Sequence, residues 1–492
     1  MKQRDQWGTR LGFILAAVGS AIGLGNIWRF PYMVYENGGG AFLIPYFVAV
    51  FTAGIPLLIL EFGVGQKYAG STPVTFRALK EKWGWIGWWQ VLVSFIIACY
   101  YVVIIGWAIS YFLFSFNQGW GSDTGAFFFN DYLHISSAPM KLGGIQMHIL
   151  IPVTLVWLTC WGVIVCGVKR GIETANKVFM PMLFVMVLLI MSKAITMPGA
   201  VDGLTWLFKP DFSKLGDIKV WTAAYGQIFY SLSVGFAIMI TYSSYLPKDS
   251  DINNNAFMTA FINCGFSMLA GIMIFSVLGY MAAQKGVPIQ EVVRAGVGLA
   301  FVTIPQAINF MPGSAFIGAL FFLSLIFAGT SSMISICEAC IAGILEGFSI
   351  SRKAATTIFC IVGYLLSIIF TTGSGLYVLD IVDHFVMNYA VLLGGVIEVA
   401  LLSWFFNLES IREHVNKHSD FLVGQWWTLC MKFFTTFAVI YMLVLKFKDD
   451  LQSPYEGYPT EALGTYGWAV VAVLPIAALV LTKYDSLGKR EG

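Results

Sequence analysis

The sequence predicts an all-α polytopic membrane protein of twelve spans. Three observations carry this. Mean hydropathy is +0.76, and only 11% of the 492 residues are charged against 58% hydrophobic. Apolar runs long enough to cross a bilayer core of about 30 Å recur twelve times. A chain this apolar has membrane lipid as its medium. Its formal net charge of +2 is dispersed, with no run of like charges, which excludes nucleic acid as a partner.

The runs fall near 11–35, 41–66, 87–116, 148–166, 174–196, 222–246, 254–283, 315–345, 354–371, 378–406, 425–446 and 464–483. The first ten residues, MKQRDQWGTR, are polar, and the run after them outlasts a signal-peptide core, so no cleavable leader is expected. Several runs exceed 25 residues, which predicts tilt or interruption. With the N-terminus inside, 18 Lys and Arg fall on the inner side and 9 on the outer, while Arg29 and Lys432 lie within spans. That bias predicts a multi-pass protein of the bacterial inner membrane with both termini cytoplasmic. The longer polar insertions, near 117–147, 197–221, 284–314 and 447–463, then all lie outside, and 1–492 reads as one transmembrane domain. The eight cysteines sit in or beside apolar runs and read as free thiols. Cys337 and Cys340 form a C-x-x-C that reads as one buried helical face rather than a redox or zinc site.

The first span carries GSAIGLGN (19–26) at its middle, three glycines and two polar side chains where a smooth membrane helix has none. The sixth does something similar at FYSLSVGF (229–236). Glycine costs close to 1 kcal/mol in a helix interior, so both segments invite unwinding. Lipid permits that only where backbone groups face protein or a watery cavity. Two breaks five spans apart predict a 5+5 repeat with a binding site at the breaks. Close helix packing through small residues accounts for one such motif but poorly for two flanked by Asn26, Ser231 and Ser233.

RLGFILAAVGSAIGLGNIWRFPY (10–32) and NGGGAFLIPY (37–46) strongly resemble the neurotransmitter:sodium symporter family. The likeness extends through CYYV (99–102), GQIFYSLSVGF (226–236), TYSSYLPKDSDI (241–252) and FAGTSSM (327–333) to the tenth span. It implies the LeuT-like inverted-repeat fold, with repeats at about 10–196 and 222–406, two further helices at about 425–483, and helices one and six unwound at the midplane.

The resemblance also implies ligands. The first sodium takes Ala21, Asn26, Ser231 and Asn263, and the second takes Gly19, Ile22, Ala328, Ser331 and Ser332. All supply hard oxygens, which suit an alkali cation. Ser331 stands where Thr or Asp is common in the family, keeping an oxygen. Amine-transporting members carry an aspartate at the position of Gly23, so a substrate with its own carboxylate is expected here. The resemblance places it among Ser20, Ala21, Leu24, Gly25, Ile97, Tyr101, Tyr230, Ser231, Ser233, Phe236, Ser332 and Ile336. That lining has no formal charge, which fits a neutral amino acid. Chloride is expected at Tyr46, Gln227, Ser231, Asn263 and Ser267, where no carboxylate replaces it. Gating is expected from Arg29 with Asp383 on the outer side, and from Arg4 with Glu346 near Tyr245 on the inner.

Glu61, Glu338 and Glu398 lie within apolar spans and need partners or protons; bracing of unwound backbone is the expected role. His414 and His418 have metal-ligand spacing but sit in a charged loop and read as solvated. No Walker A loop, G-x-S-x-G elbow or H-E-x-x-H motif is present, which disfavours an ATP-driven pump. The function expected is sodium-coupled, chloride-dependent import of a neutral amino acid by alternating access, not an enzymatic one. Alternatives are symport of another carboxylate- or sulfonate-bearing amino compound, a polytopic membrane enzyme, or a channel. The sequence carries no signal for an oligomeric state.

Overall fold

The computed structural model describes residues 5–485. Among these the protein is helical, with two isolated bridges, Gly39 to Pro210 and Ile145 to Thr372, clipping loops together. Ten helices are long and apolar enough to cross a membrane, and the bent pair Arg10–Ala21 and Leu24–Glu36 makes an eleventh crossing. The twelfth is the interrupted sixth span, Ile218–Ser231 followed by Ile238–Ser243. The twelve crossings coincide with the twelve apolar runs.

The first span starts where the Thr9 side chain accepts from the Gly12 N–H and caps the helix. It breaks at Ile22 and Gly23, whose backbones are extended, and resumes at an angle of 53°. The Gly23 N–H, stripped of an intrahelical partner, donates to Asn26 Oδ1 at 3.0 Å. Asn26 is therefore what makes the break affordable inside the protein.

The break in the sixth span is longer. Ser233, Gly235 and Ala237 adopt positive φ, of 54°, 80° and 62°. Two of these carry a β-carbon, and such geometry persists only where the surroundings impose it. They do so from three other helices. Glu61 accepts from the Gly235 N–H at 2.7 Å, Ser94 donates to the Phe236 carbonyl at 2.6 Å, and Thr72 to the Ala237 carbonyl at 3.0 Å. The bracing role expected for Glu61 is thus visible, and Ser94 and Thr72 share it.

The third span, Gly84–Phe114, and the eighth, Ser314–Phe348, pack along each other and wall the breaks on one side. Long spans are interrupted by π-helical turns, at Val50–Gly54 in the second and at Val386–Val391 and Leu401–Phe405 in the tenth. Apolar side chains such as Phe437, Val444 and Ile476 remain exposed on the outer helices, as a lipid-facing surface requires. All eight cysteines are free thiols, seven of them buried.

Candidate functional site

The twelve residues expected around the substrate line one cavity of about 960 Å³. From the two helix breaks it runs to Tyr377 in the first turn of the tenth span and to Tyr455, Glu456 and Tyr458 in the connection before the twelfth, on the face opposite the N-terminal segment. We call this opening the vestibule.

Two polar clusters flank the breaks. In one, Asn26 Nδ2 lies 2.8 Å from Asn263 Oδ1, 2.8 Å from Ser267 Oγ and 3.2 Å from Ser231 Oγ. Asn263 Nδ2 in turn donates to Ser231 Oγ at 2.8 Å. The spans one, six and seven are thereby joined through neutral oxygens and amides. Ala21 lines the cavity beside Asn26 and Ser231. Tyr46 and Gln227 are buried in the same region, with the Tyr46 hydroxyl next to Cys264 and Ser267. Gln227 Oε1 is buried without a hydrogen-bond partner. The Tyr46 hydroxyl is a donor of the kind an anion takes, whereas the Gln227 oxygen is an acceptor only.

In the other cluster the Ser332 hydroxyl stands 3.3, 3.2 and 3.4 Å from the carbonyls of Gly19, Ser20 and Ile22. Ser331 Oγ lies 3.0 Å from the Ala328 carbonyl. Carbonyls freed by the first break converge with hydroxyls of the eighth span. This is an oxygen-only donor set, the chemistry a sodium ion takes. Tyr101 Oη accepts from the Leu24 N–H at 3.4 Å, placing a phenol and a backbone amide side by side at the cavity wall.

The expected gates are placed as follows. Arg29 lies over the Tyr230 ring, and the Asp383 carboxylate accepts from Tyr100 Oη at 2.6 Å. On the N-terminal face Arg4 falls outside the described residues. Glu346 accepts from the Ser71 N–H at 2.7 Å. Tyr245 donates to Glu338 at 2.6 Å, and Glu338 receives both guanidinium nitrogens of Arg352, at 2.8 and 3.0 Å. Arg352 also reaches Asp5 at 3.0 Å. Trp7 seals this end: its indole donates to the Tyr242 carbonyl at 2.8 Å and its ring edge meets Phe13, Tyr242 and Tyr245. Glu173 holds the segment from the fifth span through the Gly8 N–H and the Thr9 hydroxyl, while Lys177 on the same helix pairs with it.

Trp7, Glu173 and Arg352 were not singled out from sequence. Trp7 had a local signal, a lone aromatic in a polar N-terminal stretch. Arg352 meets Glu338 and Asp5, and Glu173 meets Gly8 and Thr9, more than ten residues away, and such pairings leave no local signal.

The profile of the Sodium:neurotransmitter symporter family matches residues 4–124 and 119–487. An uncharacterised sodium-dependent transporter of Methanocaldococcus jannaschii is 44% identical over 486 residues, covering 99% of each chain. A sodium-dependent dopamine transporter of Caenorhabditis elegans is 30% identical, covering 93% of this chain and 83% of its own. One from Bos taurus is 29% identical, covering 97% and 74%. A twelve-span helical fold broken at its first and sixth crossings, with polar oxygens gathered at the breaks, meets these likenesses over nearly the whole chain: it belongs to the sodium:neurotransmitter symporter family.

Proposed function

We propose that this sodium-dependent transporter imports a neutral amino acid through alternating access, with two sodium ions and with chloride. The observation that carries the substrate class is the crowding at Gly23. A β-carbon there would stand 3.1 Å from Ser332 Oγ and 3.2 Å from Tyr101 Oη. Two hydroxyls occupy the space in which an amine-binding carboxylate would stand. The substrate therefore brings its own carboxylate, received by the amides of Leu24 and Gly25 and by Tyr101. Its ammonium is received by the carbonyls of Ala21 and Tyr230. Ile97, Phe236 and Ile336 enclose the side chain with Ser20 and Ser233.

Asn26, Ser231, Asn263 and the Ala21 carbonyl would hold the first sodium. The carbonyls of Gly19, Ile22 and Ala328 with Ser331 and Ser332 would hold the second. Tyr46, Gln227, Ser231, Asn263 and Ser267 would hold chloride. Bound sodium supplies electrostatic coupling to the substrate carboxylate. Two ions moving down a tenfold gradient and about 100 mV release on the order of 7 kcal/mol, enough for roughly 10⁵-fold accumulation of a zwitterion.

The N-terminal face is then cytoplasmic, the membrane a plasma membrane, and the vestibule external. Arg29 and Asp383 gate the outer side. On the inner side Arg352, Glu338 and Tyr245 act with Asp5, and the Glu346 expectation rests on Arg4. The inverted repeats span about 10–196 and 222–406. The test is uptake of labelled amino acids into proteoliposomes, with choline replacing sodium and gluconate replacing chloride. Saturable uptake of a neutral amino acid that collapses without sodium and without chloride is expected. Full uptake in gluconate removes the chloride assignment alone, and uptake of amines in preference to amino acids overturns the substrate class.

A further inference from the structure

The tenth span opens with GLYVLDIVDHF (375–385), which sets Asp380 and His384 one helical turn apart on one face. Both line the vestibule, and between them they hold the connection that joins the eleventh span to the twelfth. Asp380 accepts from the Tyr455 hydroxyl at 3.1 Å and from the Tyr458 hydroxyl at 2.9 Å. The His384 ring stacks on the Tyr455 ring, with centroids 3.6 Å apart and planes 20° from parallel. Its Nε2 lies 2.7 Å from Asp450 Oδ2, in the last turn of the eleventh span, and Tyr389 donates to that same oxygen at 2.6 Å. Among the described residues no lysine or arginine pairs with Asp450, and the imidazole is its ion-pairing partner.

The hydrogen bonds fix the protonation of the ring. Asn388 Nδ2 donates to the His384 carbonyl at 2.9 Å, which identifies it as the amide nitrogen, and it also lies 3.2 Å from His384 Nδ1. Nδ1 therefore accepts, while Nε2 carries the hydrogen that the Asp450 carboxylate takes. In this arrangement the ring is neutral, and Nδ1 is the atom that can take up a proton. A proton there turns the Asp450 contact into an ion pair and the Tyr455 contact into a cation over an aromatic face, each stronger than its neutral form. Rotation of the Asn388 amide, which lines the cavity, turns its oxygen towards the new N–H.

The charges acting on the ring are Asp450 and Lys446 on the eleventh span and Asp380 on the tenth. Asp383, the preceding residue, is turned to Tyr100, and Glu456 stands beside Tyr455. The part of the twelfth span packed on this helix, Leu463–Trp468, brings no charge, nor does the third span, Gly84–Phe114. Arg29 and Asp383 have separate partners here, so these ties belong to the arrangement with the vestibule open. A proton that strengthens them favours that arrangement by as much as it binds it better. We propose that His384, with Asp450, is a proton-binding site in the vestibule wall, and that the bound proton fastens the connection between the eleventh and twelfth spans to the tenth and so holds the vestibule open.

The test is nuclear magnetic resonance of the full-length protein with ring-labelled histidine, five residues in all. It is titrated from about pH 8 to about pH 4.5, either side of the ordinary histidine value of about 6.5. One ring, absent from His384→Gln, should show the Nε2–H tautomer at the alkaline end and the imidazolium at the acid end. Asp450→Asn keeps an acceptor without the charge, and there the same ring should bind its proton about tenfold more weakly or beyond. The vestibule is read through the thiol of Ile336→Cys, in a background without other cysteines, reacting with a membrane-impermeant reagent. Dividing by the rate of the same thiol with His384→Gln removes the thiol's own pH dependence, and the ratio should rise several-fold from the alkaline to the acid end. A ring that stays neutral throughout, that carries its hydrogen on Nδ1, or that titrates unmoved in Asp450→Asn overturns the site. A constant ratio overturns its hold on the vestibule. Should His384→Gln not fold, Asp450→Asn identifies the ring by its displaced titration and serves as the reference for the ratio.

Discussion

The guanidinium carbon of Arg29 lies 4.7 Å above the centroid of the Tyr230 ring, while Asp383, its expected partner across the vestibule, is held by Tyr100 at 2.6 Å. Each of the two proposed gate residues thus has a different partner in this structure. A cation over an aromatic ring contributes roughly 0.5–2 kcal/mol, comparable to a single hydrogen bond, so the arrangement is finely balanced. Tyr100→Phe frees the Asp383 carboxylate for Arg29 and should shift the population towards a closed vestibule. In a cysteine-free background, a thiol placed by Ile336→Cys deep in the cavity should react several-fold more slowly with a membrane-impermeant reagent. An unchanged rate would show that Tyr100 does not restrain the gate.

Asn26 serves both as surrogate backbone acceptor for Gly23 and as donor towards Ser231, Asn263 and Ser267. Asn26→Ala abandons buried groups on three spans at once, at about 1–3 kcal/mol for each one left unsatisfied. Sodium affinity should fall by roughly 10- to 100-fold, since each 1.4 kcal/mol is tenfold. If the substrate carboxylate shares that site, substrate affinity must fall by linkage as well. Tyr101→Phe should weaken the substrate more than the ion. Calorimetric sodium titrations with and without substrate would check this, and equal sodium affinities in the two conditions would sink the shared site.

How far the sequence foretold this structure can be judged at its two breaks. GSAIGLGN placed the first to within a residue or two, because glycines and a polar side chain in an apolar run are a local signal. The sixth-span break was located as well, but its extent was not. Only Ile238–Ser243 resumes as helix, because Ser233 and Ala237 are held at positive φ by Glu61, Ser94 and Thr72. Those braces lie on other helices, more than 130 residues away, and imprint nothing on the segment itself. Comparable separations hid the pairings of Trp7 with Tyr242 and of Glu173 with Gly8 that close the N-terminal face. Short helices outside the spans, such as Thr72–Leu79 and Leu408–Asn416, were likewise not foreseen, for their periodicity is too brief to stand out.

Gly23 and Gly25, two residues apart, should respond oppositely to the same substitution. A β-carbon at Gly25 would meet nothing within 4 Å, although the residue lines the cavity, whereas one at Gly23 runs into Ser332 and Tyr101. Gly25→Ala should therefore leave thermal stability in sodium unchanged and narrow the space open to substrate. Discrimination against the larger of two side chains differing by one methylene should rise by about 1–3 kcal/mol, or 10- to 200-fold. Gly23→Ala should instead weaken sodium-dependent stabilisation, by displacing the Ser332 hydroxyl from the carbonyls it approaches. Competition assays with a graded series of neutral amino acids, beside melting curves in sodium and choline, separate the two outcomes.

On the N-terminal face, helix Leu408–Asn416 buries Leu408, Ile411 and Val415 and docks on the end of the second span. The polar part of that dock is His414 Nε2 at 3.0 Å from Gln66 Oε1, beside Lys67 Nζ on the Ser410 carbonyl at 2.8 Å. Gln66 also donates to the Pro247 carbonyl, so the imidazole helps tie this helix to the loop after the sixth span. Partial burial, reinforced by the charges of Lys67, Lys248, His418 and Lys417, lowers the His414 pKa from 6.5 to about 4. The docked helix thus takes up a proton less readily than the released one. The contribution of His414 is complete above pH 6.5 and is lost as pH falls towards 4, because the released state gains the proton first. Hydrogen-exchange protection of 408–416, corrected for the intrinsic pH dependence of exchange, should decline several-fold across that window. His414→Gln keeps a hydrogen-bonding side chain but cannot titrate, and should flatten the decline. A profile of the same steepness in the variant would assign the acid sensitivity to another group.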